Sequence, residues 1–185
     1  MMFFDDITKD GRLWAVRYED EEENALFMTF AQWNDVDWLR SFFQENIKDL
    51  ESYFKITEVD EAIYDTLDDS DKLQCLILDL SPDADLEQLF RPLNNFQSAA
   101  LMLDKQKARL KKDVGHVSWL RLYAIRLEKG VFIVTGGAIK LTATMEERAH
   151  TLHELVKMEK VRNYLIDEGV IDIDSFLEYR EMNNT

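Results

Sequence analysis

Residues Trp119 to Thr142 read WLRLYAIRLEKGVFIVTGGAIKLT, and the arrangement of the rest of the chain follows from this stretch. Alternation places Trp119, Arg121, Tyr123, Ile125 and Leu127 on one side of a strand, with Leu120, Leu122, Ala124 and Arg126 on the other. Neither side is purely apolar. Glu128-Lys129-Gly130 supplies a tight turn with Gly where positive φ is needed, and the β-branched Val131 to Val134 forms the return strand. Gly136-Gly137 interrupts that strand and marks a bulge or a place where another backbone or a ligand comes close. The unit is a β-hairpin that ends at Lys140, just ahead of a helical region.

Upstream, Arg12 to Tyr18 alternates as a short strand with Leu13, Ala15 and Arg17 opposite Trp14, Val16 and Tyr18. The run Glu19 to Glu23 is an exposed acidic turn. From Asn24 to Phe54 apolar residues recur at three and four, predicting amphipathic helices broken near Asn34-Asp35. Thr57 to Leu80 reads as a second helical region with a break at Asp68 to Asp71, where a solvated turn is expected, and Asp83 to Phe90 adds another turn or two of helix before Pro92. Phe96 to Lys112 reads as a helix whose closing cations, Lys111 and Lys112 among them, complement its dipole. Downstream, Met145 to Glu168 is a long helix with Ala149, Leu152, Leu155, Val156, Met158, Val161 and Leu165 inward. Gly169 closes it, and a short helix follows in the tail.

A chain of 185 residues with 46% hydrophobic content can bury a single core, and one domain is expected over 1–185. The net charge of −15 excludes a protein that coats DNA or an anionic membrane with its whole surface. Charge is unevenly spread. Residues 1–104 hold 25 acidic and 8 basic side chains, whereas 105–140 hold 9 basic and 2 acidic ones. Any nucleic-acid site is therefore local. The single Cys75 lies in an apolar run, where a buried, inert thiol is expected, in keeping with a reducing cytoplasm. Neither a secretion signal nor a membrane span is indicated.

Cleavage of RNA without a metal or cofactor needs a base for the 2′-hydroxyl, an acid for the leaving oxygen and cations for the phosphorane. Arg121, Tyr123 and Lys140 are the residues of the hairpin suited to these roles, and Arg126, Lys111, Lys112, Lys129 and His116 could add contacts to RNA. Each also has a structural explanation: a sheet arginine paired with an acid, a half-buried tyrosine, a helix end. His150 and His153 lie on adjacent helical turns without a third ligand at metal spacing, so a surface pair is expected.

The order of LWAVRY, helices, KKDVGHVSW, then R-x-Y-x-I-R, a turn, and a strand reaching Lys before TMEERAHTLHEL resembles the RelE/HigB-type toxin superfamily, the mRNA-cleaving members of type II toxin–antitoxin pairs. The resemblance covers mainly Arg12 to Trp33 and Lys111 to Arg162. It implies an α+β fold with a small antiparallel sheet packed on several helices, and a helical insertion over 57–96 that has no counterpart in the family. It also implies Arg121, Tyr123 and Arg126 on RNA-facing strands, with Lys140 where the family often carries a lysine pair, here Ile139-Lys140. RNA or a ribosome and an antitoxin protein would be the partners. Two other readings stand beside it: a non-enzymatic interaction module on a degenerate fold, with the acidic helices as its interface, and an acidic nucleic-acid mimic from a mobile element.

Overall fold

The computed structural model describes residues 1–78, 85–93 and 102–183. Strands β1 (Phe3–Asp6) and β2 (Leu13–Arg17) form a first hairpin. Helices α1 (Ala25–Trp33), α2 (Val36–Glu45), α3 (Ile47–Phe54), α4 (Val59–Leu78) and α5 (Leu86–Leu89) follow. Strands β3 (Phe90–Pro92), β4 (Lys105–Ala108), β5 (Leu120–Glu128) and β6 (Val131–Ile139) come next, and α6 (Ala149–Asp167) and α7 (Ile173–Asn183) end the described chain.

The six strands make one mixed sheet in the order β1-β2-β6-β5-β4-β3. Four neighbouring pairs are antiparallel, but β2 runs parallel to β6, with Leu13 opposite Phe132 and Ala15 opposite Val134. The expected small antiparallel sheet is therefore corrected to a larger mixed one, within the α+β class. Helices cover both faces. Leu13, Ala15, Leu122, Ala124, Phe132 and Val134 pack with Trp33, Phe43, Leu50 and Leu73 of α1 to α4. Trp14, Val16, Tyr123, Ile125 and Ile133 pack with Met158, Val161 and Leu165 of α6 and Phe176 of α7. This is why the hairpin strands carry apolar residues on both sides: each side has its own core.

Local chemistry explains the helix boundaries. Asn24 accepts from the backbone N–H of Phe27 at 3.0 Å and Asp35 from that of Trp38 at 3.1 Å, so the expected break at Asn34-Asp35 is an N-cap. Helix α4, by contrast, runs unbroken through Asp68 to Asp71. Asp69 and Ser70 are fully buried there because they have tertiary partners: Lys112 lies 3.2 Å from Asp69, and Asn34 donates to Ser70 at 3.1 Å. The solvated turn expected at this place does not exist. Segment 57–96 supplies Ala62, Ile63, Leu73, Ile77, Leu86 and Phe90 to the same buried cluster as the hairpin. Cys75 is exposed rather than buried, since α4 turns Leu73 and Ile77 inward instead.

Two further expectations change. Part of the helix expected over Phe96 to Lys112 lies outside the described residues, but Lys105 to Ala108 is strand β4, with Gln106 and Ala108 buried at period two. In α6 the buried face is Thr151, Glu154, Met158, Val161 and Leu165, while Ala149, Leu152 and Val156 are exposed. The Gly pair fixes this phase. Register slips between Tyr123 and Ala124, leaving Thr135 as the extra residue of a bulge beside Gly136. A side chain at Gly136 would strike Glu154 and Lys157 of α6, and one at Gly137 would strike Thr29 and Trp33 of α1. Both helices thus approach β6 most closely where it has no side chains.

Candidate functional site

Strand β5 places Arg121 on the α6 side of the sheet, where it is 8% exposed. Its Nη1 donates to the carbonyls of Ser118 at 2.6 Å and Leu120 at 2.9 Å. Burial, reinforced by neighbouring Arg109, pulls its pKa down to about 10. Lys140 follows β6 on the adjacent strand; its Nζ donates to the Ala143 carbonyl at 2.8 Å. On the other side of β5, Lys107 stands opposite Tyr123 and donates to the Leu93 carbonyl at 3.3 Å. Arg109, just past β4, is exposed, as is Arg91, opposite Lys107 on β3.

Lys107, Arg109, Arg121 and Lys140 form one electrostatic group. Burial lowers the pKa of Lys107 first, and Arg121, Lys140 and Arg109 lower it further. Burial likewise lowers that of Lys140, followed by Arg121. Among the described residues none of the four pairs with a carboxylate within salt-bridge distance; the side-chain contacts of the three with bonded heads are to carbonyl oxygens. Glu147, the acid that raises Lys140 most, accepts from the N–H and hydroxyl of Thr144 at 2.6 and 3.1 Å, and Glu146 raises it less. Cations held near one another, with no carboxylate at salt-bridge distance among the described residues, suit an anion: each added phosphate oxygen would relieve their mutual repulsion.

The other expected residues are dispersed. Tyr123 is fully buried in the α6-side core, and its hydroxyl has no hydrogen-bond partner among the described residues. Burial pushes the phenol pKa up, with Arg121 opposing and Glu154 adding to the rise. Its expected place on an RNA-facing surface is corrected to the protein interior. Arg126 lies toward the opposite end of β5, bound to Glu87 at 2.7 Å; the same carboxylate oxygen accepts from Gly130 N–H at 2.6 Å and so secures the hairpin turn. Lys112 serves Asp69 on α4. His116 stacks on Trp119 with ring centres 4.3 Å apart, and its nitrogens lie 2.9 Å from Asp65 and 2.7 Å from the Val117 carbonyl. Lys111 and Lys129 are exposed, the latter in the hairpin turn.

The structure therefore brings together Arg121 and Lys140 of the expected set and adds Lys107 and Arg109. Sequence reasoning missed these two because it assigned their segment to a helix. The signal was present: in K-Q-K-A-R the cations alternate, and period two puts Lys105, Lys107 and Arg109 on one strand face. Lys105 is the one that finds an acid, Glu159 of α6 at 2.8 Å. No family model, curated protein or solved structure matches this chain.

Proposed function

We propose that this chain binds RNA through its phosphate backbone at the corner formed by Lys107, Arg109, Arg121 and Lys140. The observation that carries the reading is the convergence of four cations from three neighbouring strands, without described carboxylate partners, in a chain of net charge −15. Such a site is local, as the bulk charge requires, and it discriminates by charge and spacing rather than by base edge. The narrower form of the proposal is a RelE/HigB-like toxin that cleaves mRNA without a metal, held in check by an antitoxin protein. It rests on the hairpin with Arg121 on its first strand and Lys140 after its second, the latter partly buried and lowered in pKa toward a general-acid role. The burial of Tyr123 favours a second reading, a non-cleaving binding module, because it removes the phenol from the reacting partners.

Fluorescence anisotropy with a short single-stranded RNA tests the binding. Four phosphate contacts predict a log–log salt slope of about −2.8, and each of Lys107→Ala, Arg109→Ala and Lys140→Ala should reduce it by about 0.7. No binding at low salt, or slopes unchanged in all three variants, rejects the corner. Growth arrest on expression that Lys140→Ala relieves would support the toxin; an intact RNA after incubation with the wild-type chain and ribosomes would leave only the binding module.

A further inference from the structure

Strand β2 ends at Arg17 and last pairs with β6 at Val134, so that among the described residues the rest of β6 to Ile139 has no strand on that edge. Helices α1 and α6 flank this free edge, and between them opens a cleft of about 740 Å³ with Gly137 among its lining residues. Glu154 of α6 lines it while being only 8% exposed. Its Oε1 accepts from Lys157 Nζ at 3.1 Å. Its Oε2 lies over Gly136 and has no hydrogen-bond partner among the described residues. A buried carboxylate oxygen in that condition lacks the donor that would offset its desolvation.

Lys157 shows which donor suits the place. Its ammonium sits beside Glu154 and 5.2 Å from the centre of the Tyr18 ring, a carboxylate and an aromatic face together. That ring is fixed, since the Tyr18 hydroxyl donates to the Thr135 carbonyl at 2.7 Å. Asp20 and Glu21 line the cleft and are exposed, Glu19 beside them holds the N-terminal ammonium of Met1 at 2.8 Å, and Ala25 and Met28 of α1 provide an apolar wall. His153 and Lys160 complete the α6 side. We propose that this cleft binds a small aliphatic diamine, one ammonium donating to Oε2 of Glu154, the stem along Met28 and the second ammonium among the acids at the mouth. The proposal is independent of the RNA reading.

Titration of the full chain with putrescine, followed by calorimetry and by the methionine methyl signals, tests it. Saturable binding that shifts Met28 is expected, with Glu154→Gln weakening it at least tenfold and Lys157→Met, which removes the internal ammonium, tightening it. Circular dichroism of both variants establishes that they are folded. Absence of saturable binding to the wild type and to Lys157→Met overturns the proposal, as does equal affinity in folded Glu154→Gln, which would place the diamine on surface acids alone. Acetate shifting Met28 where putrescine does not would also overturn it.

Discussion

Tyr123 and Glu154 are the two residues whose chemistry departs most from their position. The Tyr123 hydroxyl is buried without a described partner, so it pays for desolvation without a compensating bond. Tyr123→Phe is expected to leave RNA affinity unchanged and to raise stability by up to about 1 kcal/mol, measured by urea unfolding. A loss of RNA cleavage in that variant would return the phenol to the mechanism. Burial raises the pKa of Glu154, with Lys157 opposing. Its contribution to stability is then complete below the unfolded carboxyl value of about 4.3 and is lost as pH rises through the folded value. Glu154→Gln should therefore gain on the wild type as pH rises above the unfolded carboxyl value, in parallel denaturation curves. Asp49 has the opposite sign: the hydrogen bonds of Arg148, at 2.7 Å to each oxygen, hold its pKa down. Its contribution is present above the unfolded value and disappears as pH falls through the folded one, so Asp49→Asn should be destabilised at pH 7 and match the wild type in strong acid.

At the level of elements, the second hairpin strand is where the layers meet. Gly136 and Gly137 let α6 and α1 close onto opposite sides of β6, and the bulge at Thr135 sets which residues each helix meets. Gly137→Ala places a methyl group against Thr29, Trp33 and the Arg121 carbonyl, and overpacking of this kind costs about 1–3 kcal/mol. A second substitution, Thr29→Ser, removes the methyl that the new group meets while keeping the hydroxyl bond to Ala25. It should recover part of the loss in thermal melts; strict additivity of the two changes would mean that α1 does not press on Gly137. Helix α4 is tied to the hairpin by Trp119, whose indole donates to Thr66 at 2.9 Å and whose ring meets Phe43, Phe54 and His116. Trp119→Ala should cost about 3–5 kcal/mol, marking α4 as part of the cooperative unit.

Over the whole molecule, charge works in two directions. The net −15 repels itself, and added salt screens that repulsion. Salt should consequently raise the melting temperature while weakening RNA binding, whereas a protein whose stability depended on the cationic corner would show both falling together. The binding itself should be accompanied by proton uptake at alkaline pH, because a phosphate restores the charged forms of Lys107 and Lys140 that burial and their neighbours disfavour. Calorimetry in two buffers of different ionisation enthalpy measures it.

Much was legible in the chain because it is written at short range. The alternation of Leu13 to Arg17 and Leu120 to Leu127, the turn at Lys129-Gly130, the helix break at Asn34-Asp35 and the bulge near Gly136 each depend on neighbours within a few residues. Arg121 and Lys140 were legible as cations on adjacent strands. What the chain alone could not decide is which of its polar residues face water. Asp69, Glu154 and Tyr123 are inside because Lys112, the side-chain-free Gly136 and a second helical layer are there to meet them, and those lie tens of residues away. Nor could it decide that β2 lies parallel to β6, since pairing across more than a hundred residues is set by which faces bury together rather than by local propensity. The sequence by itself determined the elements, their apolar faces and an excess of cations between 105 and 140. Only the packing of helices on both faces of the sheet decided which four of those cations converge without a carboxylate partner among the described residues and which others became structural.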